Sequence, residues 1–196
     1  DEDAKDWHLA FSLGNGSASI HFQDAWGNKL YRTDDGDFDI FNKSSQQWDY
    51  ISATPSPCEG SAIGFSIGGI GYVGSNSSLE VMHRYKIDIN LWDTVEGFPG
   101  ESRVGAVYFV MNGKFYYGLG KKSGTNGLYR NDFWEYTPPN PNDSNDDGVW
   151  RQINSITDFG GKSKFYATGF SIGNKGYIAF GREETSTGFV NTKEVW

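Results

Sequence analysis

The feature that most constrains this chain is a motif that returns at a nearly constant distance. Phe65-Ser-Ile-Gly-Gly-Ile-Gly-Tyr72 recurs as Phe170-Ser-Ile-Gly-Asn-Lys-Gly-Tyr177. It recurs in altered form as Phe109-Val-Met-Asn-Gly-Lys-Phe-Tyr116, and faintly from Phe22 through Trp26-Gly-Asn-Lys-Leu-Tyr31. The leading Phe residues are 43, 44 and 61 residues apart, and the longest interval holds an insertion from Pro138 to Gly148. Other columns keep the register. Ser19, Ala62, Ala106 and Ala167 stand three residues before each Phe, and Phe11, Thr54, Phe98 and Phe159 stand eleven before. Trp7, Trp48, Trp92 and Trp150 precede them by 15 to 20. Several columns at one period mean one supersecondary unit, copied and stacked.

Each unit reads as four short strands. In the third they are Gly105–Met111, Lys114–Leu119, Asp132–Thr137 and Val149–Ile153. Asn112-Gly113 is a pair that closes a tight hairpin with positive φ at both positions. Aromatic residues reach 16% and there are 26 Gly, which favours strands and turns. No ten-residue window carries an apolar helical stripe with caps. The expectation is an all-β β-propeller with four-stranded antiparallel blades, four units being visible. The units span about 16–52, 59–94, 103–154 and 164–196, with 5–10 as a fourth strand of another or the closing blade. One blade cannot bury both faces, so the repeated aromatics belong between blades. Phe22, Phe65, Phe109 and Phe170 are each expected to be largely buried.

Arg103-Val-Gly-Ala106, the Asn112-Gly113-Lys114 turn, Tyr117-Gly-Leu-Gly120, Asn131-Asp-Phe-Trp-Glu-Tyr136 and Trp150 together resemble one kelch repeat. Gly173-Asn-Lys-Gly-Tyr177 and Phe98-Pro-Gly100 resemble the variant in bacterial galactose-oxidase-like kelch proteins. The chain departs from the family in lacking a regular Gly-Gly doublet. Gly68-Gly69 and Gly160-Gly161 fall in different columns. The resemblance implies a kelch-type propeller and leaves function open, because kelch propellers serve many roles. Trp7 matches a fourth strand and Trp196 a third. Two arrangements follow: a four-bladed ring closed by the N-terminal strand, or part of a six- to seven-bladed propeller.

Charge narrows the partners. The formal net charge is −8 with Lys and Arg dispersed, which gives nucleic acid no footprint. No run approaches the roughly 18 apolar residues of a transmembrane helix. One Cys excludes an internal disulfide. His8, His21 and His83 show no metal-ligand spacing. The copper site of galactose oxidase would need a Cys–Tyr cross-link, and Cys58 lies in the loop Pro55-Ser-Pro-Cys-Glu-Gly60 without a matching motif. No nucleophile elbow or phosphate loop is present. The expectation is therefore no cofactor, with calcium as an option. In the insertion, Asp143, Asn145 and Asp147 place oxygen side chains at alternate positions ahead of Gly148, a spacing that can wrap calcium.

In kelch propellers the loops between strands two and three share one face with the loops between blades, and rigidly mounted loops carry function. On this face the candidate ligand-binding residues are Arg32, Asn76, Phe98, Arg103, Lys121, Arg182 and Glu183. The functional expectation is a non-catalytic interaction module, secreted or at the cell surface and able to carry a lipid anchor, binding a protein or glycan. The alternative is a sugar-processing enzyme resembling kelch-type sialic acid epimerases. In that reading Arg103 and Arg182 hold a carboxylate and Glu183 handles protons.

Overall fold

The computed structural model describes residues 20–23, 29–34, 36–54, 62–75, 79–86, 89–124, 128–140, 142–143, 145–153 and 163–196. The elements described are all strands, and no described helix is long and apolar enough to cross a membrane. Three complete sheets follow one another along the chain. The first holds β1 (Ile20–Gln23), β2 (Leu30–Asp34), β3 (Asp37–Asn42) and β4 (Gln47–Ala53). The second holds β5 (Ala62–Ile67), β6 (Ile70–Ser75), β7 (Met82–Lys86) and β8 (Leu91–Val95). A short β9 (Arg103–Val104) leads into the third sheet, which joins β10 (Val107–Met111), β11 (Lys114–Gly118), β13 (Phe133–Thr137) and β14 (Val149–Ile153). β12 (Lys121–Lys122) lies between β11 and β13 in sequence and pairs with β9.

Within each of these sheets the strands meander in sequence order, every pair antiparallel. The turn at Asn112 and Gly113 has φ of 52° and 70°, as its sequence demands. It sets Met111 opposite Lys114. A fourth unit follows the short β15 (Lys164–Phe165). It pairs β16 (Thr168–Ile172) with β17 (Lys175–Ala179), and Val195 bridges to Ala179 where a third strand belongs. β18 (Arg182–Thr185) and β19 (Gly188–Asn191) form a hairpin on β15. The first strands lie alongside one another: β1 by β5, β5 by β10, and β10 by β16. This is how the blades of a propeller pack around an axis.

The core lies between sheets, because each strand alternates its side chains between two neighbours. Tyr31 and Phe38 of the first sheet meet Val73 and Tyr85 of the second. Phe65, Tyr72 and Met82 of the second meet Phe115, Tyr117 and Tyr136 of the third. Val107, Leu119 and Phe133 of the third meet Ile178 of the fourth. The repeated Phe finds a different seat each time. Phe65 stacks on Phe115 with ring centroids 3.8 Å apart. Phe109 lies against Gly176, where a Cβ would come within 2.3 Å of the ring. The glycine lets the ring settle on bare backbone.

That pattern corrects one expectation. Phe65 is buried and Phe109 is half-buried, but Phe170 is 38% exposed. Burial at this column comes from the following sheet, and no described sheet covers the outer face of the fourth. Among the described residues the ring partner of Phe170 is Tyr177 of its own sheet, at 5.3 Å. The side chain of Phe22 lies outside the described residues.

Candidate interaction surface

Because strands alternate in direction, a segment entering the first strand and one leaving the second lie at the same end of a sheet. β9 and β12 are such a pair in the third unit, and β15 and β18 in the fourth. Arg103 stands opposite Lys122, and Lys164 opposite Glu183. The two units repeat in detail at this end. The Gly120 N–H donates to the Lys164 carbonyl at 2.8 Å, and the Tyr166 N–H to the Gly105 carbonyl at 2.9 Å. Gly120, with φ of 83°, has a position that only glycine fills easily, since a Cβ there would lie 2.8 Å from the Val104 carbonyl oxygen.

Two of the charged groups expected on this rim, Arg103 and Glu183, are turned inward. Arg103 is 1% exposed. Its guanidinium donates to both carboxylate oxygens of Asp132, at 2.6 and 2.9 Å, and to the carbonyls of Leu119 and Glu101. It also lies over the rings of Phe98 and Tyr117, at 5.0 and 5.6 Å. Burial alone would raise the Asp132 carboxyl, but hydrogen bonds from Arg103 and Trp134 overcome it and hold the group below its ordinary value. In the fourth unit Lys164 takes the place of Arg103. It is fully buried and paired with Glu183 at 3.2 Å and Glu194 at 2.7 Å.

The candidate residues therefore divide. Arg103 and Glu183 are buried in ion pairs rather than facing solvent, because β9 and β15 pair with the segments leaving the second strands and close over them. Phe98 is buried edge-on among Tyr117, Trp134 and Trp150, so it is core and not rim. Arg32 lies on β2, paired with Asp39 at 2.9 Å and stacked over Trp48 at 4.6 Å. Lys121 is half-buried on β12, and Arg182 is exposed, with its Nε donating to Asn191 at 3.3 Å. Asn76 and Cys58 lie outside the described residues.

The insertion closes on its own hydrogen bonds. The Asp146 carboxylate accepts from the backbone N–H of Asn140 and Gly148, and Asp143 accepts from that of Asn145. The Asp147 carbonyl accepts from the Tyr136 hydroxyl and the Glu96 N–H. Among the described residues no three His, Cys, Asp or Glu side chains group as metal ligands.

The rim also carries an aromatic group absent from the sequence expectations. Tyr129 from the loop after β12, Phe165 from β15 and Phe189 from β19 meet with ring centroids 5.2 to 6.0 Å apart. Tyr166 adjoins Phe165 at 5.2 Å. Tyr166 is 64% exposed and Phe189 is also exposed, with Arg182, Glu184 and Asn191 in solvent nearby on the hairpin. Tyr166 occupies the position held by Gly105 one unit earlier and keeps its left-handed backbone, with φ of 55°. Its ring lies over Gly105, where a Cβ would approach it to 2.9 Å. One face of the ring thus rests on backbone. A sequence signal for this existed: a Tyr in the column where a neighbouring unit needs Gly.

No family profile matches this sequence, and no curated protein matches it. Among solved structures the chain is similar to one titled "Structure of YjhT", with 16% identity and a TM-score of 0.65. The match covers 84% of this chain and 58% of that chain, so this sequence spans little more than half of that protein's length. At this identity the likeness speaks to fold. With the four-stranded antiparallel sheets and side-by-side first strands, it defines an all-β, propeller-type fold of four-stranded blades.

Proposed function

We propose that the protein is an interaction module that binds a protein or glycan partner on the rim at the junction of the third and fourth sheets. The observation that carries this reading is the aromatic group Tyr129, Phe165, Tyr166 and Phe189, part-exposed beside polar side chains on a hydrogen-bonded support. Exposed Tyr and Phe on a rigid base present apolar area at low entropic cost, and such residues dominate binding energies. A strained aromatic residue held in solvent is a feature that folding does not require. The buried ion pairs of Arg103 and Lys164 support the same reading, because they consume charge in holding the rim together. A sugar-processing activity would have to draw its carboxylate anchor and its proton-handling group from residues other than the buried Arg103 and Glu183.

A glycan microarray and a panel of surface proteins, probed with the wild type and with Tyr166→Ser/Phe189→Ser, test the proposal. A partner bound by the wild type and lost by the double variant supports it. Interconversion of sialic acid forms by the purified protein, unaffected by the double variant, would transfer the function to the enzymatic alternative.

A further inference from the structure

The hairpin of β18 and β19 leaves an open strand edge on the rim. β18 lies between β15 and β19, and no described strand pairs with the far side of β19. The register fixes which backbone groups are used. The Thr192 N–H donates to the Gly181 carbonyl at 2.9 Å, so these two residues form a hydrogen-bonded pair. Such pairs alternate with non-bonded ones along an antiparallel ladder. Glu183 with Val190 and Thr185 with Gly188 are therefore bonded pairs, while Arg182 with Asn191 and Glu184 with Phe189 are not. The N–H and C=O groups of Phe189 and Asn191 point away from β18. Among the described residues no backbone hydrogen bond from outside the hairpin meets them. The whole of β19 is exposed, so these donors and acceptors stand in solvent at strand spacing.

A charged side chain or a Pro in an edge strand opposes pairing with another chain. The outer strands of the three complete sheets follow that rule. Asp49 sits in β4, Asp93 in β8 and Arg151 in β14. β19, with the sequence Gly188-Phe-Val-Asn191, has neither. Phe189 and Asn191 share one face with their cross-strand partners Glu184 and Arg182, and on it Phe189 joins Tyr129 and Phe165. A segment laid along β19 thus meets main-chain partners at its edge and apolar rings beside it.

We infer that β19 takes an extended peptide segment of a partner protein by strand addition, making a fourth strand on the sheet of β15, β18 and β19. The inference rests on the binding role proposed for this rim and names the kind of partner it takes. In this mode main-chain pairing supplies affinity and alternate side chains supply selectivity. The residue beside Phe189 on the ring-bearing face is apolar, and the one beside Asn191 is polar. A glycan would use the rings and leave the edge groups to water. The formal net charge of −8 sets two copies of this chain against each other and favours a neutral or basic segment.

A random linear peptide library, panned on the protein and counter-selected on Tyr166→Ser/Phe189→Ser, supplies the probe. The recovered peptide is titrated by fluorescence anisotropy into the wild type, Asn191→Pro and Asn191→Ala. Proline deletes an outward N–H without touching a bond to β18. Alanine keeps that N–H and removes the same side chain, with its bond from Arg182. The expected result is affinity weaker by at least about tenfold in Asn191→Pro and nearly unchanged in Asn191→Ala. N-methylation of alternate peptide amides, read on the wild type and so independent of how the proline variant folds, gives the same loss. A rim-dependent peptide indifferent to Asn191→Pro and to N-methylation overturns strand addition and leaves the binding role of the rim standing. Recovery of no rim-dependent peptide overturns it as well, and a glycan bound on the arrays would then keep the rim reading alone. Self-association that Asn191→Pro abolishes would make the occupant a second copy, which also overturns it.

Discussion

Replacing Asp132 by Ala isolates the claim that the rim charges are structural. The substitution leaves the Arg103 guanidinium, 1% exposed, without the carboxylate that takes two of its hydrogen bonds. The Leu119 and Glu101 carbonyls still accept from it, and neither carries a neutralising charge. Removing one partner of a buried pair costs about 3–5 kcal/mol. The remaining carbonyl contacts place the expected loss near the lower end, at about 3 kcal/mol. For a domain of this size that corresponds to roughly 6–12 °C in melting temperature. Urea unfolding followed by Trp fluorescence reads the loss directly. Glu194→Ala is the internal comparison. Lys164 keeps Glu183 after that change, and Glu194 is 54% exposed on its side chain, so the effect is far smaller. The double variant Arg103→Met/Asp132→Leu removes both charges and recovers most of the stability lost in Asp132→Ala. If Asp132→Ala unfolds no more easily than Glu194→Ala, Arg103 is reaching water and the account of a locked rim fails.

Phe115→Ala, which vacates the ring beneath Phe65, costs about 3–5 kcal/mol in denaturant unfolding, whereas Phe170→Ala in the 196-residue chain costs much less because no described sheet packs on it. His83 is buried with its Nε2 unpartnered, and burial lowers its pKa from the ordinary value near 6.5. The unfolded chain therefore takes up a proton first, and stability falls as pH drops from about 6.5 toward the lower folded value. His83→Leu flattens the unfolding free energy between pH 7 and 5; a pH slope unchanged by that variant would refute the assignment. In the insertion, hydrogen bonding to Asp146 predicts that Asp146→Ala lowers the melting temperature with and without chelator. Calcium held by Asp143, Asn145 and Asp147 predicts instead a chelator-sensitive melting temperature that Asp147→Ala makes insensitive.

Blade stacking explains why the architecture was readable in the sequence. Each sheet meets its neighbour through the same columns, so Phe65 and Phe109 recur, and Asn112-Gly113 recurs in function as a hairpin turn. The strand limits of the third unit follow from those columns almost to the residue. The rim was harder to read because its chemistry is made by pairing across the chain. A charged residue in a connecting segment looks solvent-exposed in sequence, and Arg103 is buried only because β9 pairs with β12 and Asp132 arrives 29 residues later. Phe98 was misplaced for the same reason, since its burial depends on Trp134 and Trp150 closing around it. Phe170 shows the converse case. Its column predicts burial, and its exposure reflects what covers the next face. The aromatic group on the rim joins residues from three segments, and only Tyr166, standing in a glycine column, marked itself in the sequence.

The proposed function places binding in the exposed rim aromatics and gives the ion pairs beneath them a structural role. Calorimetric titration of the partner found on the arrays into the wild type and into Tyr166→Ser/Phe189→Ser, with melting curves of both, tests it most directly. Loss of two aromatic anchors predicts affinity weaker by at least about tenfold, at a cost above roughly 1.4 kcal/mol, with melting temperatures nearly unchanged because both rings are exposed. Equal affinities, or weakened binding accompanied by a collapse in melting temperature, would contradict the account.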